Sequence, residues 1–87
     1  MNLSLDIIKL ITDTLEAFGF NQVGVYLLDS RDINFPVNEP YGLYIKAFNR
    51  YGVEVGCNPW FSEENIHAAV GMAIVSMVRE ADLETDR

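Results

Sequence analysis

Residues 41–57 read YGLYIKAFNRYGVEVGC, and the pattern on either side of the central NRYG decides the kind of fold. Leu43, Ile45 and Ala47 alternate with Tyr44, Lys46 and Phe48. A period of two marks a strand with one face buried. Val53, Val55 and Cys57 repeat the alternation, with Glu54 pointing the other way. Between the runs, Asn49-Arg50-Tyr51-Gly52 puts glycine where a left-handed residue closes a type I turn with a glycine bulge. The stretch predicts a hairpin, with strands over 41–49 and 51–57, broken by Asn58-Pro59.

Working outward, residues 22–29 (QVGVYLLD) predict a further strand, with Val23, Val25 and Leu27 on one face and Tyr26 and Leu28 on the other. Residues 29–40 (DSRDINFPVNEP) show no usable period and read as a loop. That is long beside the usual connection of about 4–6 residues, and long loops are often functional. Before the strand, residues 4–18 predict a helix. Ser4 is placed as N-cap and Asp6 lies in the first turn, where the helix dipole favours an acid. Leu5, Ile8, Ile11, Leu15 and Phe18 form an apolar stripe, widened by Ile7 and Leu10. Gly19 suits a left-handed ending, with Phe20 folding back onto Leu15.

After the hairpin, Ser62 is expected to cap a second helix running to about Glu80. Glu63 and Glu64 fill its first turn, and Phe61 and Ile66 stand at the positions of a hydrophobic staple. The acidic tail over 81–87 is expected to fray. The order α-β-β-β-α predicts one α+β domain spanning 1–87: a three-stranded antiparallel meander with two helices packed on one face.

The second helix poses the main question. Residues 67–78 read HAAVGMAIVSMV, whose only clearly polar side chains are His67 and Ser76. At 100° per residue, Ile66, Val70, Ala73, Ile74 and Met77 cluster within an arc of about 100°, enough to cover a sheet. Ala68, Gly71, Val75 and Val78 extend the apolar surface to about 220°, roughly twice what a one-sided helix needs. Either the helix is wedged between sheet and first helix, or the flank Ala68, Gly71, Val75 and Val78 is a dimer face or is covered by a partner. The far face of the sheet raises a similar alternative. It carries Tyr26, Leu28, Tyr44 and Phe48, diluted by Lys46 and Glu54, and is either solvated or a binding surface.

Composition narrows the chemistry. Hydrophobic content of 49% and charged content of 22% are those of a globular chain rather than a disordered one. The net charge of −7, from 13 acidic and 6 basic residues, argues against direct nucleic-acid binding, which needs clustered Lys and Arg. It suits a partner with a basic surface, or serves solubility alone. No apolar run approaches the roughly 20 residues that cross a membrane, and the N-terminal residues lack a signal-peptide pattern, so a cytoplasmic protein is expected.

The single cysteine, Cys57, rules out an intrachain disulfide. With His67 it makes a conceivable nucleophilic pair, but Cys57 also fits the buried side of its strand. Asp29-Ser30-Arg31-Asp32 lacks the further ligands and glycine of a calcium loop, and no Gly-rich phosphate loop occurs, so neither metal nor cofactor is expected. Glu63 and Glu64 are explained as first-turn acids.

What is left favours a non-enzymatic binding module. Its contact residues are expected to be the aromatics Tyr26, Phe35, Tyr44, Phe48 and Trp60 with the acids Asp29, Asp32 and Glu39, an arrangement of anchors and charged rim. In size, acidity and lack of catalytic groups the chain is similar to small phage or mobile-element inhibitors such as anti-restriction and anti-CRISPR proteins. That likeness is one of class, carried by no particular stretch. It implies a stoichiometric inhibitor or adaptor acting on a basic surface that normally holds nucleic acid. Small acidic secretion chaperones offer a second comparison, and a homodimeric scaffold is the alternative.

Overall fold

A computed structural model describes residues 2–29, 31 and 39–85, with the side chains of 81–85 excepted. Helix α1 (Leu5–Ala17) leads into strand β1 (Asn21–Asp29). Strands β2 (Tyr41–Phe48), β3 (Glu54–Cys57) and β4 (Trp60–Phe61) follow, then a 3-10 turn (Glu63–Asn65) and helix α2 (Ile66–Thr85). The architecture is α+β, with an antiparallel sheet between two helices in sequence.

The helix ends show why the chain turns where it does. The backbone N–H of Ile7 donates to Ser4 Oγ at 3.2 Å, the expected cap. At the other end Gly19 adopts φ +93°. Phe20 N–H donates to Leu15 O and Gly19 N–H to Glu16 O, both at 3.0 Å, which is the Schellman pattern. The buried stripe of α1 differs from expectation. Ile11 and Leu15 are fully buried and Leu3 and Ile7 pack against them, whereas Leu5 is 82% and Phe18 57% exposed. Leu5 is the first residue of the helix and Phe18 its C-cap, so periodicity alone overstated the stripe at both ends.

The hairpin turn forms as expected. Gly52 has φ +78°, Gly52 N–H donates to Asn49 O at 3.0 Å, and Asn49 N–H donates to Val53 O at 2.9 Å. Asn49 also holds the turn from within, Oδ1 accepting from the backbone N–H groups of Tyr51 and Val53. The strands are shorter than expected, and Val53, placed on the buried face by its spacing, lies in the turn and is 38% exposed.

The sheet has four strands rather than three, in the order β1-β2-β3, with β4 also pairing β2. The fourth is the third continued. Cys57 lies opposite Ile45 and Trp60 opposite Gly42, and between them Leu43 N–H donates to Pro59 O at 2.9 Å. One register runs through the break. Pro59 has no N–H to return the bond, which is tolerable only on an edge strand. In β1 a bulge, with Gln22 at φ +53°, shifts the pairing between Asn21 and Gly24.

The inward face of β2 supplies Leu43, Ile45 and Ala47, joined by Val55 and Phe61. Above them lie Ile11 and Leu15 of α1 and Ile66, Ala69, Val70, Ala73 and Met77 of α2, so both helices cover the same side. Burial of each larger side chain contributes about 1.5–3 kcal/mol. Phe61 and Ile66, the staple pair, are both buried in this core. Ser62 flanks the helix as expected but makes no cap bond to the backbone; its Oγ accepts from Asn65 Nδ2 at 2.9 Å. The first turn is 3-10, and the helix backbone continues to Thr85, past the expected end at Glu80.

Candidate functional site

The outward side of the sheet follows from the register. Leu28, Gly42 and Trp60 make one row across the strands, Tyr26 and Tyr44 the next, Gly24, Lys46 and Gly56 a third, and Phe48 with Glu54 a fourth. The Tyr26 and Tyr44 rings meet at 5.9 Å between centroids, tilted by 44°. Directly opposite aromatic pairs of this kind stabilise a sheet while presenting their outer surfaces to solvent. Tyr26 is 49% and Tyr44 37% exposed; Leu28, Phe48 and Trp60 are half-buried.

Two glycines make room for the rings. A Cβ on Gly24 would stand 2.9 Å from Cε2 of Tyr26, and one on Gly42 would stand 3.0 Å from Cζ3 of Trp60. Each ring therefore lies over bare backbone. The result is a low aromatic surface whose side chains are held by packing, so little rotamer entropy remains to be lost when something binds.

Of the residues expected from sequence, Tyr26, Tyr44, Phe48 and Trp60 are brought to this one face. The acids are less concentrated. Asp29 closes β1 and is engaged by Arg31, whose Nε donates to Oδ1 at 3.0 Å and whose Nη2 donates to Oδ2 at 2.6 Å. The bonds from the Arg31 side chain, then its backbone N–H, pull the Asp29 carboxyl from 3.8 down to about 2. The lowered value means that this local pairing is complete above about pH 4 and is lost as pH falls toward 2. Glu39 lies apart from the rings' centre, lining a shallow hollow of about 220 Å³ with Trp60, Phe61, Asn65, Ala68 and Met72. Asp32 and Phe35 lie outside the described residues.

In the single chain most of the flank of the second helix is open. Ala68, Gly71 and Val75 are exposed, Val75 by 56%, while Val78 is half-buried against the core. Met72, which sequence reasoning passed over, is 64% exposed beside them. Its place on the wheel, about 40° from Ala68, was the available signal. A wedged central helix is not what the chain forms. A second hollow of about 270 Å³, lined by Cys57, Asn58, Pro59, Met72, Ala73 and Ser76, adjoins the first at Pro59 and Met72.

Cys57 Sγ donates to Ala73 O at 3.6 Å, and burial, with a smaller contribution from Glu80, pushes its thiol up to about 11. His67 is exposed. Among the described residues no group of three His, Cys, Asp or Glu side chains could hold a metal ion, and no helix is long and apolar enough to cross a membrane. No protein-family model, curated protein or solved structure matches this chain.

Proposed function

We propose that this chain is a non-enzymatic protein-binding module of the cytoplasm, a small stoichiometric inhibitor or adaptor that docks its outer sheet face on a partner with a basic surface. The observation that supports this reading is the gathering of Tyr26, Tyr44, Phe48 and Trp60 on one solvent-facing side of a strongly acidic domain. Aromatic rings packed over glycine offer apolar area at little entropic cost, the property of an interface anchor. The net charge of −7 would steer the chain toward a cationic partner and speed encounter at low salt. A surface built to hold nucleic acid is such a partner, and an acidic domain seated there competes with phosphate for the same lysines and arginines. That is the mode implied by the likeness in class to anti-restriction and anti-CRISPR proteins.

The thiol supports the same reading from the other side. A cysteine held protonated to about pH 11 supplies little of the thiolate that nucleophilic catalysis needs. The experiment is affinity capture with the wild type and with a Tyr26→Ala/Tyr44→Ala variant, at two salt concentrations. Both tyrosines are exposed, so the variant keeps its core. The reading expects a basic partner retained by the wild type, weakened by salt and lost with the variant. Capture of the same partner by both chains equally would overturn it.

A further inference from the structure

The outer face of α2 is a line of exposed residues: Glu64 in the 3-10 turn, then Ala68, Gly71, Met72, Val75 and Arg79. At 100° per residue the five from Ala68 to Arg79 fall within an arc of about 100°, and Glu64 stands exposed in the turn that leads into them. The middle of the line is apolar, with Met72 64% and Val75 56% exposed. A Cβ on Gly71 would meet nothing within 4 Å, so the helix backbone is bare at the centre of its own outer face. The ends carry opposite charges. Arg79 forms no ion pair with any described residue, and neither does Glu64.

Those features are self-complementary under one operation. Midway between Gly71 and Met72, a two-fold axis perpendicular to the helix would set a second copy antiparallel to the first. Glu64 then faces Arg79 of the other copy, Ala68 faces Val75, and Gly71 faces Met72. We infer that this face joins two copies of the chain in an antiparallel α2–α2 pair. A two-fold contact uses the same patch twice and closes on itself. Bare backbone at Gly71 lets the axes approach to the short end of the usual 8–10 Å range. The flexible thioether of Met72 fills the notch over the opposing glycine.

Charge complementarity is what selects a second copy over an unrelated helix. A net charge of −7 makes these chains repel in general. On this face, each copy contributes one acid and one base, and the antiparallel register converts them into two ion pairs across the contact. The parallel register would set Glu64 against Glu64 and Arg79 against Arg79. The inference rests on different residues from the sheet-face reading: Tyr26 and Tyr44 stand on the outer side of the sheet and α2 on the other, and the two surfaces adjoin only at Trp60, which shares a hollow with Ala68 and Met72.

The test is sedimentation equilibrium at low salt from about 1 μM to about 1 mM, a range that brackets a weak surface contact. The wild type is expected to pass from monomer to dimer. Glu64→Arg and Arg79→Glu, each placing like charges together twice, should weaken the dimer about tenfold or more. The double variant, with the charges exchanged, should recover most of the loss. Gly71→Leu has open space in the monomer and raises helix propensity, so it should fold and abolish the dimer. A chain monomeric at the top of the range overturns the inference. So does a dimer indifferent to Gly71→Leu, or a double charge variant no better than the single ones.

Discussion

The ring of Trp60 occupies the space that a side chain on Gly42 would need: a Cβ there would lie 3.0 Å from Cζ3 of the indole and 3.0 Å from Oδ1 of Asn58. The two residues are also register partners, on β4 and β2. The contact fixes the indole against the sheet at one end of the aromatic surface.

Gly42→Ala should therefore displace the indole and lower stability by about 1–3 kcal/mol, the usual range for overpacking. Trp60 is the chain's single tryptophan, so its emission reports the displacement directly. Gly24→Ala is the contrast. Its neighbour is the far edge of the Tyr26 ring, which is 49% exposed and can shift outward without opening the core, so the loss should be smaller, about 0.5 kcal/mol. Urea unfolding of the two variants checks both.

On α2 the two sides of the helix should respond differently. Met77 is fully buried and Met77→Ala should cost about 2–5 kcal/mol. Val75→Ala, on the open face, should change the stability of the dilute chain by no more than about 0.5 kcal/mol. Comparable losses at both positions would mean that the outer face is covered within one chain.

Gly19 sits at φ +93° in the turn that returns the chain from α1 to β1. Gly19→Ala forces a Cβ into a left-handed conformation and should cost about 1 kcal/mol or more, read as a lower thermal midpoint by circular dichroism. The space beside it is not the reason, because the nearest atom to that Cβ, in the Arg50 side chain, is 3.8 Å away.

The Cys57 thiol carries a pH signature. Its ordinary value is 9.0, and burial raises it to about 11 in the folded chain. Well below pH 9 the thiol is protonated in both states and contributes no pH dependence. Between about 9 and 11 the unfolded state releases the proton first, so stability should fall as pH rises. Urea midpoints measured across that interval should drop more steeply for wild type than for Cys57→Ala. Disulfide-exchange reagents at pH 8 should react slowly with the native chain and promptly once it is unfolded.

Much of the fold was legible because its signals are local. Alternation over residues 43–47, glycine at position 52 and the Ser4 and Gly19 helix ends each specify backbone geometry within a few residues. What escaped the reading depends on contacts between distant segments. Pro59 looks like a strand breaker, yet its carbonyl still accepts from Leu43, and β4 continues the edge. Leu5 and Phe18 match helical spacing but stand at the two ends of α1 and stay exposed. The aromatic face was foreseeable from the even-numbered residues of β1 and β2, but the roles of Gly24 and Gly42 beneath the rings were not, because they arise from close approach. Met72 was hidden by a helix apolar almost all round.

The most direct measurement of the central claim is site-specific photo-crosslinking in the chain's native cell. A photoreactive phenylalanine replaces Tyr44 on the aromatic face or, as control, Glu16 on the exposed side of α1. The account predicts one dominant adduct with a basic protein from position 44, absent from position 16 and removed by Tyr26→Ala. Equal adducts from both positions, or adducts from position 16 alone, would contradict it.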